Sequence, residues 1–382
     1  MLRNVLLVIL SLTYFQAIAQ QFGGHPASTK WQQLNSDTAR VIFKRGNDSL
    51  ARDVAAIVHA LAAQHPYSLG NKLKKINIVL QPNTTISNGY VGLGPFRSEF
   101  YMTPAVNSFQ QGSTPWHKQL ALHEYRHVQQ FNNFNNGLSR VAGILFGQEG
   151  YALAINASVP DWFYEGDAVY AETFLTHQGR GRLPLFNNMY PALWQAGKNY
   201  SWMKLRNGSL KDYVPTHYHL GYLLVNYGRE TYGNDIWTKV TRDASAFKGL
   251  FYPMQKAVKR HTGKTYKTFY TEAFDHYRQQ TKATAADQFI LPVNKKVVTH
   301  YKYPYLLDGD SLLYLQSAYN QREALMIREG NTTRRLRFMD IRDDDQFNYN
   351  NGKVVYSAYE NNARWRWHDY SVNKVLDIAT NK

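Results

Sequence analysis

Apolar positions along this chain follow two different periods, which divide it into segments. Residues 39–43 and 75–80 are short β-rich runs, whereas residues 49–63 place apolar side chains on one face at helical spacing. Residues 89–103 alternate loosely and carry glycine and proline, which is typical of an edge strand. Residues 160–279 are mostly helical in pattern. The sequence therefore predicts an α+β fold with a small N-terminal sheet and a helical C-terminal half.

One helix between these parts has clear boundaries. Thr114 can cap its start, and Pro115 suits a first turn, where a missing N–H costs nothing. The apolar pattern continues to about Phe131 and then ends in the asparagine-rich residues 132–137. We expect a helix from Pro115 to about Phe131.

The last hundred residues change character. Composition shifts at residues 281–288, which predicts a linker, and short β runs follow two turns centred on Gly309 and Gly352, 43 residues apart. This spacing is typical of propeller blades, with a plain β-sandwich as the alternative. The chain stops within a repeat, so we expect a partial, mobile propeller segment at residues 285–382 from a longer protein.

The N-terminus has the order of features of a secretory signal peptide. A short basic start precedes an apolar run at residues 5–15, and Ala-Ile-Ala at residues 17–19 suits cleavage. We assign residues 1–19 to the signal, with a buried helix or an uncleaved anchor as the alternative. The chain has no cysteine, which excludes disulfides, a thiolate nucleophile and Cys-ligated metals.

The formal net charge of +16 raises the question of nucleic-acid binding. Lysine and arginine are spread along the chain, however, and no cluster exceeds residues 333–337. We therefore expect no nucleic-acid partner, and interpret the basic surface as one that faces anionic envelope polymers or lipids.

The candidate chemistry centres on His123-Glu124-Tyr125-Arg126-His127, an H-E-x-x-H motif within the predicted helix. Helical spacing stacks His123 and His127 on one face, where two nitrogens can bind one ion. Glu124 lies one step around the helix and is positioned to hold a water molecule as general base. The alternative is a pair of core histidines satisfied by backbone groups.

A catalytic zinc needs a third protein ligand and one open position. The metzincin continuation fails because Gln130 and Asn133 occupy its Gly and last His positions. Residues 162–168 instead read Trp-x-x-Glu-Gly-x-Ala. This pair of motifs resembles the gluzincins, including aminopeptidase-N-type enzymes and the peptidase MA-like superfamily. The resemblance implies a gluzincin-type (thermolysin-like) catalytic domain at residues 20–284, with Glu165 as third ligand of Zn²⁺.

The resemblance implies further roles. Tyr218 begins a Tyr-x-x-Gly segment similar to that of the gluzincin oxyanion tyrosine, with His217 and His219 as competitors. Glu172 is a candidate to orient a ligand histidine, or forms an ordinary salt bridge. Residues 88–100 occupy the place of the edge strand that binds extended peptide.

The expected function is zinc-dependent hydrolysis of peptide bonds in a polypeptide substrate, with Glu124 as general base. The absence of a G-x-M-E-N-like motif favours an endopeptidase. The C-terminal repeats resemble TolB-like blades, often fused to such domains in bacterial envelope proteins, so we expect an exported, envelope-associated protein. The alternative is an envelope scaffold or binding protein with a catalytically weak peptidase-like domain.

Overall fold

The computed structural model describes residues 23–63, 69, 73–105, 111–281, 291, 296–342 and 346–382. The predicted signal peptide and nearly all of the predicted linker lie outside these ranges. The strands are β1 (Trp31–Asn35), β2 (Ala39–Lys44), β3 (Ile76–Gln81), β4 (Gly89–Gly92), β5 (Arg97–Tyr101), β6 (Thr299–Leu306), β7 (Leu312–Ala318), β8 (Gln321–Glu329), β9 (Thr332–Phe338), β10 (Phe347–Asn350), β11 (Lys353–Glu360) and β12 (Tyr370–Asp377).

Most of the helices lie between β5 and β6 in the chain. They are α1 (Asp48–Ala63), α2 (Trp116–Asn133), α3 (Gly137–Ser158), α4 (Asp161–Thr176), α5 (Pro184–Asn187), α6 (Met189–Gln195), α7 (Trp202–Asn207), α8 (His217–Tyr232), α9 (Ile236–Ser245), α10 (Pro253–Thr262) and α11 (Tyr266–Gln280). This arrangement of a sheet, a helical half and further strands confirms the α+β class. No helix in the described part of the chain is long and apolar enough to cross a membrane.

The N-terminal sheet has the strand order β1-β2-β3-β5-β4. Strands β2, β3 and β5 run parallel, and the outer strands β1 and β4 pair antiparallel to their neighbours. Alternate residues such as Val41 and Ile78 are buried in one core with α1 and α2. The sheet thus supports α2, the helix that carries the motif, through Ala121, Tyr125 and Val128.

The predicted edge strand at residues 89–103 is two strands. A turn at residues 93–96 reverses the chain, so that β5 lies inside the sheet and β4 forms the edge opposite β1. Gly94 and Pro95 lie in this turn. The sequence analysis had placed both residues within a single strand. The prediction of an edge strand is confirmed for β4 and wrong for β5.

The motif helix α2 is confirmed with a corrected start. Pro115 itself is the N-cap, in extended conformation, and no side chain caps the helix. The prediction that Thr114 caps it is therefore wrong. The helix ends at Asn133, within two residues of the predicted end, and the next helix begins at Gly137.

The helical half encloses a second core rich in aromatic rings. Trp162, Phe163, Trp237 and Phe269 are fully buried there and meet one another at tilted or edge-on angles. Such contacts stabilise a pair of rings beyond the burial of their area. This core fixes α4, which packs against α2, and α8, which packs against α4.

The C-terminal strands form two antiparallel sheets, β6-β7-β8-β9 and β10-β11-β12. Leu313 and Ile327 of the first sheet share a core with Val354 and Leu376 of the second. The predicted turns are confirmed, since Gly309 and Gly352 both adopt positive φ beside β7 and β11.

The C-terminal segment also contacts the N-terminal sheet directly. Thr84 Oγ1 donates a buried hydrogen bond of 2.8 Å to Asp369 Oδ2, and the ring of Trp367 lies 5.2 Å from that of Tyr101. The backbone N–H of Trp367 bonds to the carbonyl of Gly24 at 3.0 Å. These contacts argue against the expected mobility of the segment.

Candidate metal centre

Helices α4 and α8 cross at a contact that two glycines allow. A Cβ on Gly221 would lie 1.8 Å from the carbonyl oxygen of Trp162, and one on Gly166 would lie 2.1 Å from the backbone of Gly221. Only glycine permits so close an approach. The crossing brings together Glu165, next to Gly166, and Tyr218, one turn before Gly221.

The three predicted ligands meet at this point. Oε2 of Glu165 lies 3.2 Å from Nε2 of His123 and 3.6 Å from Nε2 of His127. One donor atom from each residue falls within 4.8 Å of the others. Both histidines are buried and Glu165 is partly exposed. The structure thus forms a His-His-Glu group that can bind a metal ion.

The second nitrogen of each imidazole has its own partner. Nδ1 of His123 lies 3.0 Å from Oε2 of Glu172, and Nδ1 of His127 lies 2.9 Å from Oε1 of Gln130. A proton on each Nδ1 satisfies these acceptors and leaves the Nε2 lone pairs directed at the common point. Glu172 thus makes the contact with a candidate ligand that an orienting role requires. Gln130 makes the equivalent contact with His127, and the sequence analysis passed it over.

Arg180 is a partly buried cation of the site that sequence reasoning missed. It lies in a short 3₁₀ turn (Arg180–Arg182), and its Nε donates to Oε1 of Glu172 at 2.7 Å. Its Nη2 also lies 2.8 Å from Nδ1 of His123. A guanidinium can only donate, so a His123 Nδ1 that donates to Glu172 cannot also accept from Arg180. We assign the proton of Nδ1 to the bond with Glu172.

Burial and neighbouring charges have opposite effects on the pKa values of Glu172 and Glu165. Burial alone would raise the pKa of Glu172, but the charge of Arg180 and the hydrogen bond from His123 lower it to about 2. Burial also acts to raise the pKa of Glu165, yet His127 and His123 lower it well below its ordinary range. Both carboxyl groups are therefore ionised at neutral pH, as a metal ligand and its support require.

A buried ion pair holds α2 and α4 in register. Arg126, inside the motif, donates from Nε to Oδ2 of Asp167 at 2.7 Å and from Nη2 to Oδ1 at 3.0 Å. Arg229 of α8 donates to the same carboxylate at 3.0 Å. Burial raises the pKa of Asp167, but Arg126 and Arg229 lower it to about 2. The bidentate geometry fixes the position of the helix that presents Glu165.

Glu124 lines the cavity in front of the three donors, and it is not one of them. The cavity has a volume of about 410 Å³, and residues 87–91, from β4 and its approach, form one wall. Gly89 allows this contact, because a Cβ there would lie 2.9 Å from Oε1 of Glu124. Burial raises the pKa of Glu124, an effect that the charges of His123 and His127 oppose.

The structure separates the three oxyanion candidates. Tyr218 and His217 line the cavity, and the Tyr218 ring lies 6.5 Å from that of His123 in a stacked orientation. His219 instead stacks on Phe186 at 4.2 Å, and burial lowers its pKa to about 4. Burial and the nearby Glu165 raise the pKa of Tyr218, which keeps its hydroxyl protonated.

The donors suit zinc in number and spacing. Zinc bonds of about 2.0–2.2 Å at tetrahedral angles separate neighbouring donors by about 3.4 Å. The observed separations of 3.2 and 3.6 Å bracket that value. Two imidazoles and a carboxylate, with a cavity on one side, can thus hold a metal ion and leave one coordination position open.

Comparison with models of known protein families gives no match for this chain. A search of curated proteins gives none either. The assignment of function therefore depends on the residues and contacts described above.

Proposed function

We propose that this protein is a zinc-dependent metallopeptidase of gluzincin type that hydrolyses peptide bonds. The observation that carries the proposal is the place of Glu124, a buried carboxylate on the cavity wall beside three converging metal donors. A purely structural metal site has no use for a fourth acid in this position. A general base must be within reach of the reacting water, and the place of Glu124 in the cavity that His123, His127 and Glu165 also line supports this role.

The metal ligands and the residues that orient them have separate roles. When the metal binds, His123 and His127 would give up a proton and offer Nε2 lone pairs, and Glu165 would offer an ionised oxygen. Glu172 and Gln130 would keep the imidazoles in orientation. Bound zinc supplies a Lewis acid that lowers the pKa of a water molecule and polarises a carbonyl group. The buried position of the donors limits competing solvent.

Glu124 and Tyr218 carry the proton and charge changes. The Glu124 carboxylate accepts a proton from the attacking water and passes it to the leaving amine nitrogen. Its raised pKa brings it closer to neutrality, where transfer in both directions is efficient. The protonated hydroxyl of Tyr218 donates a hydrogen bond to the oxyanion that develops on the carbonyl oxygen.

The edge strand favours an extended polypeptide as substrate. Strand β4 pairs with β5 on one side only, so its other edge can add a substrate strand beside the cavity. Recognition through backbone groups suits a peptidase with little dependence on side chains near Glu124. We propose internal rather than terminal cleavage, since an edge strand of this kind supports chain on both sides of the bond.

The wider setting of the enzyme is also a proposal. We infer export from the N-terminal residues 1–19, and envelope association from the net charge of +16. We further propose that the two C-terminal sheets are partial blades of a TolB-like propeller, because each is an antiparallel meander. The shared core of the two sheets suits a β-sandwich equally well.

Hydrolysis of denatured, fluorescence-quenched casein tests the proposal. We expect activity that a chelator removes and that added zinc restores. Glu124→Gln should bind zinc stoichiometrically yet lose about 10²–10⁴-fold in rate, because the amide cannot accept the proton. The matched control is Glu230→Gln, an exposed glutamate on α8. Full activity of Glu124→Gln would contradict the mechanism, and an inactive zinc-loaded wild type would favour the binding-protein alternative.

A further inference from the structure

A second groove adjoins the catalytic cavity. Its volume is about 540 Å³, within the range of about 300–1,000 Å³ typical of ligand pockets. Leu93 and Phe96 of the β4–β5 turn form one wall, and Ile144 and Tyr151 of α3 form the other. Phe131 of α2 borders both the groove and the catalytic cavity. The two spaces are therefore neighbours across a single side chain.

Two contacts hold the walls of the groove in place. The backbone N–H of Gly94 donates to Oε1 of Gln148 at 2.7 Å, which ties the β4–β5 turn to the middle of α3, next to Gly147. The hydroxyl of Tyr151 donates to the carbonyl oxygen of Phe131. Helix α3 is bent at Gly147, which has φ 68°. The groove is thus a formed feature with a wall from each of three elements.

The position of the groove relative to β4 determines which part of a substrate strand would reach it. Gly89, the first residue of β4, lies against Glu124, and the turn after its last residue, Gly92, borders the groove. A substrate strand that pairs antiparallel to β4 runs from the Gly92 end towards the Gly89 end. The residues that precede the cleaved bond would therefore enter the groove.

The lining of the groove specifies the chemistry of its occupant. Its walls are mainly apolar, and Lys74 and Arg140 are the charged side chains among the described residues that line it. An apolar side chain gains free energy by leaving water there. A carboxylate beside it would meet two cations and no acid within that lining.

We propose that this groove is a specificity subsite that binds substrate residues N-terminal to the cleaved bond, and selects a large apolar side chain next to an acidic residue. The proposal rests on the proposed peptidase function and adds the substrate class. A well-formed apolar pocket discriminates by about 10–200-fold between side chains of different size. We therefore expect a preference of about tenfold for leucine over alanine at the position that the groove receives.

The test compares two neighbouring exposed residues of α3. Ile144, 71% exposed, lines the groove, whereas Leu145, 67% exposed, does not. Quenched peptides with Glu-Leu or Glu-Ala before the cleaved bond give the ratio of their kcat/KM values. Ile144→Asp should reduce this ratio at least fivefold, and Leu145→Asp should leave it unchanged. Equal ratios in both variants would overturn the proposal.

A binding measurement separates the groove from the chemistry. The same Glu-Leu and Glu-Ala peptides, labelled with fluorescein, are titrated with Glu124→Gln protein, which needs no turnover to report affinity. Tighter binding of Glu-Leu, weakened by Ile144→Asp and by Arg140→Glu, supports the subsite even if casein is not hydrolysed. Equal affinity for both peptides overturns the subsite, while hydrolysis of casein would still support the peptidase.

Discussion

Glu172 is joined to both His123 and Arg180 by its two carboxylate oxygens. Oε2 lies 3.0 Å from Nδ1 of His123, and Oε1 accepts from Nε of Arg180 at 2.7 Å. The first contact fixes the imidazole so that Nε2 faces Glu165, and the second compensates the charge of the buried Glu172 carboxylate. One side chain therefore connects the orientation of a metal ligand to the electrostatic balance of the cavity wall.

Replacement of this carboxylate should weaken metal binding without removing a ligand. Glu172→Gln keeps an acceptor for Nδ1 of His123 but loses the charge, so we expect zinc affinity to fall about tenfold, at the low end of such effects. Competition with a chromophoric chelator measures this. Glu230→Gln should bind zinc as the wild type does. A loss of thermal stability with unchanged zinc affinity would make Glu172 a partner of Arg180 only.

Tyr218 should contribute to the rate and little to binding. Tyr218→Phe removes the hydroxyl and keeps the ring, and loss of one oxyanion donor typically lowers kcat about 10²–10³-fold. Zinc content and KM should remain near those of the wild type. Tyr222→Phe, one turn further along α8 and outside the cavity lining, is the matched control. If His217→Gln alone lowers kcat to this extent, His217 is the donor instead.

The Asp243 carboxylate should stabilise the helical half at about pH 5, and this stabilisation should be lost in stronger acid. Burial raises its pKa, but hydrogen bonds from Lys248, Arg260 and His261 lower it from 3.8 to about 2. A lowered folded-state pKa gives stability that is present above about pH 4 and is lost as pH falls towards about 2. Lys248 and Arg260 are 57% and 43% exposed, and solvent screening reduces the effect to about 1 kcal/mol.

Denaturant unfolding between pH 5 and pH 2 checks this prediction, with buffers of constant ionic strength. Asp243→Asn should be less stable than the wild type at about pH 5 and should approach it at about pH 2. Asp235→Asn, which removes an exposed ion pair with Lys239, should change little at either pH. Parallel pH curves for wild type and Asp243→Asn would show that another group controls acid stability.

The sequence predicted those parts of the site that depend on local geometry. His123 and His127 share a face because helical spacing requires it. The crossing of α4 and α8 at Gly166 and Gly221 is a tertiary contact, and the sequence analysis did not predict it. Arg180 could not be predicted, because its role depends on a turn that folds back onto α4 and has no periodic pattern. Tertiary contact, rather than propensity, places that guanidinium in the site.

The difference between local geometry and tertiary contact also explains which features of the C-terminal segment could be predicted. The turns at Gly309 and Gly352 were predicted because positive φ favours glycine locally. The contacts of Trp367 and Asp369 with the N-terminal sheet join residues far apart in the chain, and no repeat pattern indicates them. Reasoning from unpaired strand edges alone led to the expectation of a mobile segment.

The last prediction concerns the contact between the edge strand and the general base. A Cβ on Gly89 would lie 2.8 Å from Cδ2 of Leu120 and 2.9 Å from Oε1 of Glu124, so Gly89→Ala must displace either β4 or both of these side chains. Because small misplacements of catalytic groups can cost about 10²-fold, we expect kcat to fall tenfold or more with zinc content unchanged. A Cβ on Gly92 would meet the Tyr90 ring at 3.5 Å, an ordinary contact, so Gly92→Ala should have a much smaller effect. Initial rates on quenched casein, with zinc measured by atomic absorption, compare the two variants. Equal losses would show that alanine weakens the strand generally, whereas loss of zinc in Gly89→Ala would show that the whole motif helix has moved.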